Sequence, residues 1–218
     1  MTPVAARFTC SSASPPMSPA ALIAPVAAAA AASEASTPSS LAAETAPSTA
    51  DFAAWPTSTF VDDLKEIHFN GEAIQLLHVP SAHTDGDVLV FFRRSDVVVA
   101  GDLFVTMAFP EVDAAQGGSI DGVIAGANRI LDLTVPAEKQ EGGTYVIPGH
   151  GRLADEADVV EFRDMLTILR DRVRALAGSG LTLEQVKAAR PARDYEGRYG
   201  PADALIEAAY RAQELTRR

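Results

Sequence analysis

The sequence predicts an α/β domain that follows a disordered N-terminus and ends in a helical tail. Three observations lead to this class. Short β-rich segments alternate with turn residues between 65 and 100, two long segments with helical apolar spacing follow, and residues 11–50 lack the bulky side chains of a core. At 218 residues the chain is long enough for one domain. We therefore divide it into a leader, 1–50, and one domain, 51–218, whose last part, 181–218, is the helical tail.

The leader has a biased composition, because Ala, Ser, Pro and Thr fill 33 of the 40 positions from 11 to 50. Such a segment buries too little apolar surface to offset the entropy of ordering the chain, so we expect it to be disordered. Residues 20–33 also have the small residues of an export-signal cleavage region, but Pro25 and a single preceding basic residue, Arg7, argue against a signal. The sequence favours a cytoplasmic location and leaves export as the alternative.

Charge and cysteine content exclude several classes of partner and site. Residues 1–150 hold 17 acidic and 6 basic residues, whereas residues 151–218 hold 12 of each. Nucleic acid and anionic membranes need clustered positive charge, so we expect neither as a partner. The single cysteine, Cys10, excludes an intramolecular disulfide and a thiolate zinc site. No strongly apolar run reaches the ~18 residues of a transmembrane helix.

Five strands are predicted in the domain. The first two are joined by Asn70 and Gly71, the dipeptide that favours a tight hairpin turn. The next two are continuous apolar runs, which are typical of strands covered on both faces. The predicted strands are 65–69, 72–79, 87–92, 96–100 and a short one in 144–151 that stops at Pro148 and Gly149.

Apolar residues at helical spacing predict four helices. Ser119 and Thr182 stand where the first and third helices need an N-cap. The predicted helices are 119–134, 155–177, 181–190 and 201–216. The buried stripe of the second is predicted to be Val159, Phe162, Leu166, Leu169, Val173 and Leu176, and the last helix is predicted to pack Leu205, Ala208 and Ala209 inward.

Three polar residues follow predicted strands. His83, Asp102 and His150 each come after the end of a strand, beside glycines that allow close backbone approach. Two imidazoles and a carboxylate delivered to one sheet edge suit zinc, with iron or manganese as alternatives. A single histidine after a strand is more often a hydrogen-bonded turn residue, so that interpretation stays open for each of them.

The strings around these residues resemble a known superfamily. HTDGD (83–87), GDLF (101–104) and IPGHG (147–151) are similar to the later metal-binding motifs of the metallo-β-lactamase-fold hydrolases, and the similarity spans about 60–215. The resemblance implies a partial αββα sandwich. It also implies that His83 completes the first metal site, that Asp102 bridges two metals and that His150 serves the second metal.

The implied activity is hydrolysis, in which zinc-bound hydroxide attacks the carbonyl of a small-molecule ester, thioester or lactam. The superfamily also has an upstream His-x-His-x-Asp-His motif, but no histidine precedes His68 in this chain. His68 and His78 lie in predicted strands at the wrong spacing, and we interpret them as strand residues. Four of the seven expected ligands are therefore missing, which predicts weak or incomplete metal sites and impaired turnover.

The alternative is a non-catalytic remnant, truncated or frame-shifted, that acts at most as a binding or structural module. In a partial sandwich, one apolar face of the sheet lacks the layer that would cover it. We expect that face to permit self-association.

Overall fold

The computed structural model describes residue 60 and residues 62–216. The predicted leader, 1–50, lies outside the described residues. In the described part, strands and helices follow one another as β1 (Leu64–Phe69), β2 (Glu72–Val79), β3 (Asp87–Phe92), β4 (Val97–Val105), a 3-10 turn (Ala114–Gln116), α1 (Ile120–Leu133), β5 (Tyr145–His150), α2 (Glu156–Gly178), α3 (Leu183–Ala188), α4 (Arg193–Tyr199) and α5 (Asp203–Thr216).

The strands form a single five-stranded sheet in the order β1-β2-β3-β4-β5. The first four are antiparallel neighbours, and β5 runs parallel to β4 because α1 returns the chain across the sheet between them. Asn70 and Gly71 both have positive φ, 51° and 75°, as a primed hairpin turn requires. The predicted Asn-Gly hairpin is confirmed.

The helices cover one face of the sheet and form the main core with it. Leu77, Leu89 and Val98, one from each of β2, β3 and β4, belong to one buried cluster with residues of α1, α2 and α5. The ring of Phe104 on β4 meets that of Phe162 on α2 edge to face, with centroids 5.1 Å apart. This two-layer packing explains why α2 has a continuous buried stripe.

Most helix predictions agree with the structure. The hydroxyls of Ser119 and Thr182 accept N–H hydrogen bonds from the first turns of α1 and α3, as expected of N-caps. Leu176 and Ala208 are only half-buried, whereas Met165, Ala177 and Ile206 are buried instead. The sequence did not predict α4, which is short and contains a glycine at position 197.

The opposite face of the sheet carries a second, smaller apolar cluster. Its described members are all strand residues: Ile74, Val90, Phe92 and Val99 are buried, and Leu76, Val88, Val97 and Ile147 are partly buried beside them. At the edge of the sheet, Ile67 and Phe69 are 39% and 71% exposed. Self-association through this face stays a prediction.

Two strand ends differ from the prediction. β4 continues to Val105 instead of ending near Ala100, so Asp102 lies inside β4 and not after it. β5 includes His150 as its last residue. β4 is longer than predicted because Gly101, which has a φ of 57°, interrupts the ladder without ending it. The buried run from Leu103 to Val105 then continues the strand.

No helix within the described residues is both long enough and apolar enough to cross a membrane.

Candidate metal centre

Asp102 and His150 meet at the irregular part of the β4–β5 ladder. Gly101 pairs with Pro148, and the next pair is Val105 with His150. β4 therefore has more residues between these two pairs than β5 has. The extra residues make β4 bulge, and bulges redirect the side chains that they carry. Asp102 is one of those residues.

Asp102 and His150 are in direct contact. Oδ1 of Asp102 lies 3.3 Å from Nε2 of His150, and the two side chains are 32% and 81% exposed. Zinc bonds of ~2.1 Å at a tetrahedral angle place two ligand atoms ~3.4 Å apart. The observed separation therefore fits two neighbouring corners of a tetrahedral ion site that is open to solvent.

Gly149 is required for this contact. A Cβ at position 149 would lie 2.2 Å from Oδ1 of Asp102 and 2.7 Å from the backbone carbon of Gly101. Only a residue without a side chain lets β5 approach the Asp102 carboxylate this closely. The PGHG string thus has a direct structural reason for its first glycine.

His83 lies in the loop between β2 and β3 and faces a different carboxylate. Its Nδ1 is 3.6 Å from Oδ1 of Asp87, and the side chains are 23% and 11% exposed. Histidines that bind metals usually direct their second ring nitrogen at a carboxylate or carbonyl, which fixes the ring. This arrangement leaves Nε2 of His83 as the nitrogen that could bind an ion.

The backbone around His83 is firmly held. The amide of Thr84 donates to Oδ2 of Asp87 at 2.9 Å, and the amide of Asp113 donates to the His83 carbonyl at 2.9 Å. A Cβ at Gly118 would lie 2.1 Å from that same carbonyl oxygen. The loop is packed closely against the segment that leads into α1, and these contacts hold the His83 backbone.

The structure joins two of the three predicted ligands. Among the residues it describes, no group of three or more His, Cys, Asp or Glu side chains is placed to hold one ion. Asp102 and His150 are in contact, and His83 is paired separately with Asp87. The three-residue set stays a prediction, and the residues in contact fit two ligand positions and not a complete zinc site.

The other two histidines, His68 and His78, lie on strands, as the sequence predicts. His68 is on β1 with a side chain that is 72% exposed. His78 is on β2, and its Nε2 lies 2.7 Å from the carbonyl oxygen of Asp85. They are strand residues, as predicted.

Three residues that support the site were not identified from the sequence. Asp87 faces His83 and stands four positions after it in the HTDGD string, so the spacing within that string could have identified Asp87 as the partner of His83. Arg152 reaches Asp158 with both of its terminal nitrogens, and these hydrogen bonds raise the pKa of the guanidinium. This pair attaches the segment after His150 to the first turn of α2, and only the structure reveals it.

Comparison with known proteins identifies the fold. No protein-family model matches the chain, and no curated protein matches it. Among solved structures, the stereoselective inverting sec-alkylsulfatase Pisa1 from Pseudomonas sp. matches 72% of this chain with a TM-score of 0.55 at 15% identity, over 26% of its own length. A metallo-β-lactamase family protein from Thermus thermophilus matches 71% of the chain with a TM-score of 0.49 at 18% identity, over 48% of its length. A metallo-β-lactamase from Pontibacter korlensis matches 52% with a TM-score of 0.41 at 18% identity, over 49% of its length.

The described chain has part of the metallo-β-lactamase fold. The match to the alkylsulfatase carries this assignment, and at 15% identity it concerns the fold alone. The predicted α/β class and the predicted resemblance are both confirmed. The matched region spans between 26% and 49% of the length of these three solved proteins.

Proposed function

We propose that this chain contributes part of a metal-dependent hydrolase site, with Asp102 and His150 as adjacent ligands and His83 as the third. The observation that carries the proposal is the 3.3 Å separation between Oδ1 of Asp102 and Nε2 of His150 on a bulged sheet edge. Zinc is the metal that this donor set favours, with iron or manganese as alternatives.

The roles follow from the surroundings of each residue. Asp102 would provide a charged oxygen at the irregularity of β4, and His150 would provide a neutral nitrogen from the solvent side. His83 would provide Nε2 while Asp87 holds its Nδ1. These residues would hold a zinc ion that would supply Lewis-acid activation of water and of a carbonyl group, which suits esters, thioesters or lactams as substrates.

Zinc titration of the full chain by calorimetry tests the binding step. We expect Asp102→Ala and His150→Ala to weaken zinc binding at least ~10-fold, because each removes one of few ligands. His68→Ala is the matched control, since it removes an exposed imidazole from β1, away from the β4–β5 edge. Equal affinities in all four proteins would refute the proposed ligands.

Turnover is a separate measurement. A chromogenic ester and a chromogenic lactam should be hydrolysed by the zinc-loaded wild type and not by His150→Ala or after chelation. The second candidate function is the non-catalytic binding or structural module, favoured by the carboxylate partners of His83 and His150, Asp87 and Asp102, which give each imidazole a contact within the chain. Zinc binding with no turnover of either substrate would support that candidate over the hydrolase.

A further inference from the structure

Thr106, the first residue after β4, is one of two buried polar residues in the described part of the chain, with 8% of its surface exposed. Its amide donates to the carbonyl oxygen of His150 at 3.2 Å. Its hydroxyl accepts the N–H of Arg152 at 3.0 Å. One buried residue therefore holds the peptide groups on both sides of Gly151.

Gly151 shows how closely Thr106 approaches this loop. Its φ is +117°, and a Cβ there would lie 1.9 Å from the Thr106 hydroxyl oxygen. The peptide can take this path only because position 151 lacks a side chain. Below the loop, Val146 and Ala154 exchange two backbone hydrogen bonds, of 2.8 and 2.9 Å, which close its base.

The His150 ring has little support of its own. With 81% of its side chain exposed, packing does not select its orientation, and its polar contact in the described structure is with Asp102. The distance between the ring and Asp102 therefore depends on where the backbone places the Cα and Cβ atoms of His150. Thr106 fixes that backbone on both sides of Gly151, through its own amide at His150 and through its buried hydroxyl at Arg152.

We propose that Thr106 is a positioning residue that holds His150 in register with Asp102. The hydroxyl is the essential part, because the Arg152 amide would otherwise be left without an acceptor beside the ligand pair. The metal-related consequence rests on the function proposed above, whereas the positioning itself does not.

Two variants separate the hydroxyl from the shape of the side chain. Thr106→Val keeps the shape and removes the acceptor, and Thr106→Ser keeps the acceptor. Thr167→Val is the control, because Thr167 is a half-buried threonine on α2 whose hydroxyl donates to the Arg163 carbonyl at 2.9 Å, and α2 carries no proposed ligand.

The first measurement needs no metal. Ring 1H–13C spectra at one pH resolve the four histidines, and His150→Ala assigns the signal of interest. We expect Thr106→Val to shift the His150 signal, and we expect Thr106→Ser and Thr167→Val to leave it unchanged. An unshifted signal in Thr106→Val, or an equal shift in Thr167→Val, overturns the proposal.

The second measurement is zinc affinity. We expect Thr106→Val to weaken binding ~10-fold, as losses of outer partners of metal ligands do, and Thr106→Ser to restore it. Unchanged affinity in Thr106→Val would overturn positioning toward a metal. If the wild type binds no zinc, the proposed function fails, while the ring spectra still decide the role of Thr106.

Discussion

Two of the predicted ligands, His83 and His150, each face a carboxylate, and these two pairs differ in what else the carboxylate does. His83 and Asp87 are 3.6 Å apart and largely buried, and Asp87 also accepts the Thr84 amide. His150 and Asp102 are 3.3 Å apart and far more exposed, and in the described structure His150 is the one polar contact of the Asp102 side chain. The first carboxylate maintains a loop, whereas the second keeps lone pairs that an external ligand could use.

The largest effect is expected from Gly149→Ala, which separates the exposed pair. The new Cβ would lie 2.2 Å from Oδ1 of Asp102, 2.7 Å from the backbone carbon of Gly101 and 2.8 Å from the Asp102 nitrogen, so backbone must move. Overpacking of this kind costs ~1–3 kcal/mol and sometimes more. We expect ~3 kcal/mol less stability in urea unfolding and a displaced His150 ring signal.

Gly197→Ala is the matched control for that change. Gly197 lies inside α4, its φ is not positive, and no atom outside its own stretch of helix lies within 4 Å of its Cβ position. Ala has the higher helix propensity, so this variant should gain up to ~1 kcal/mol. If Gly149→Ala were as stable as Gly197→Ala, β5 would not depend on close approach to Asp102.

An intermediate effect is expected from Asp87→Ala. Removal of this carboxylate leaves the half-buried Thr84 amide without its acceptor, and an unsatisfied buried donor costs ~1–3 kcal/mol. We expect ~2 kcal/mol less stability, again by urea unfolding. Asp87→Asn retains an acceptor oxygen and should recover most of the loss, and failure to recover would mean that the charge, and not the hydrogen bond, maintains the loop.

The fold could be predicted because its signals are local. The Asn-Gly turn, the apolar runs and the capping residues Ser119 and Thr182 each act within a few neighbours, and the structure places them as expected. The continuation of β4 through Gly101 could not be predicted in this way. It depends on pairing with β5, which lies more than 40 residues later in the chain.

The site was predicted less completely than the fold. The motif strings identified Asp102 and His150, whose contact the structure shows. They gave no information about Thr106, because an isolated threonine after a strand has no sequence signature. Its role is defined by the path of the segment around Gly151, which is a tertiary feature.

The smallest effect on stability is expected from Asp102→Ala, and this variant tests the comparison most directly. A contact between a carboxylate and an 81% exposed imidazole contributes ~0–1 kcal/mol, so the metal-free variant should unfold within ~1 kcal/mol of the wild type. In zinc the two proteins should diverge, because a ligand that binds only the folded wild type stabilises it by mass action. A loss in metal-free buffer as large as that of Asp87→Ala would make Asp102 a structural residue, and the distinction between the two pairs would no longer hold.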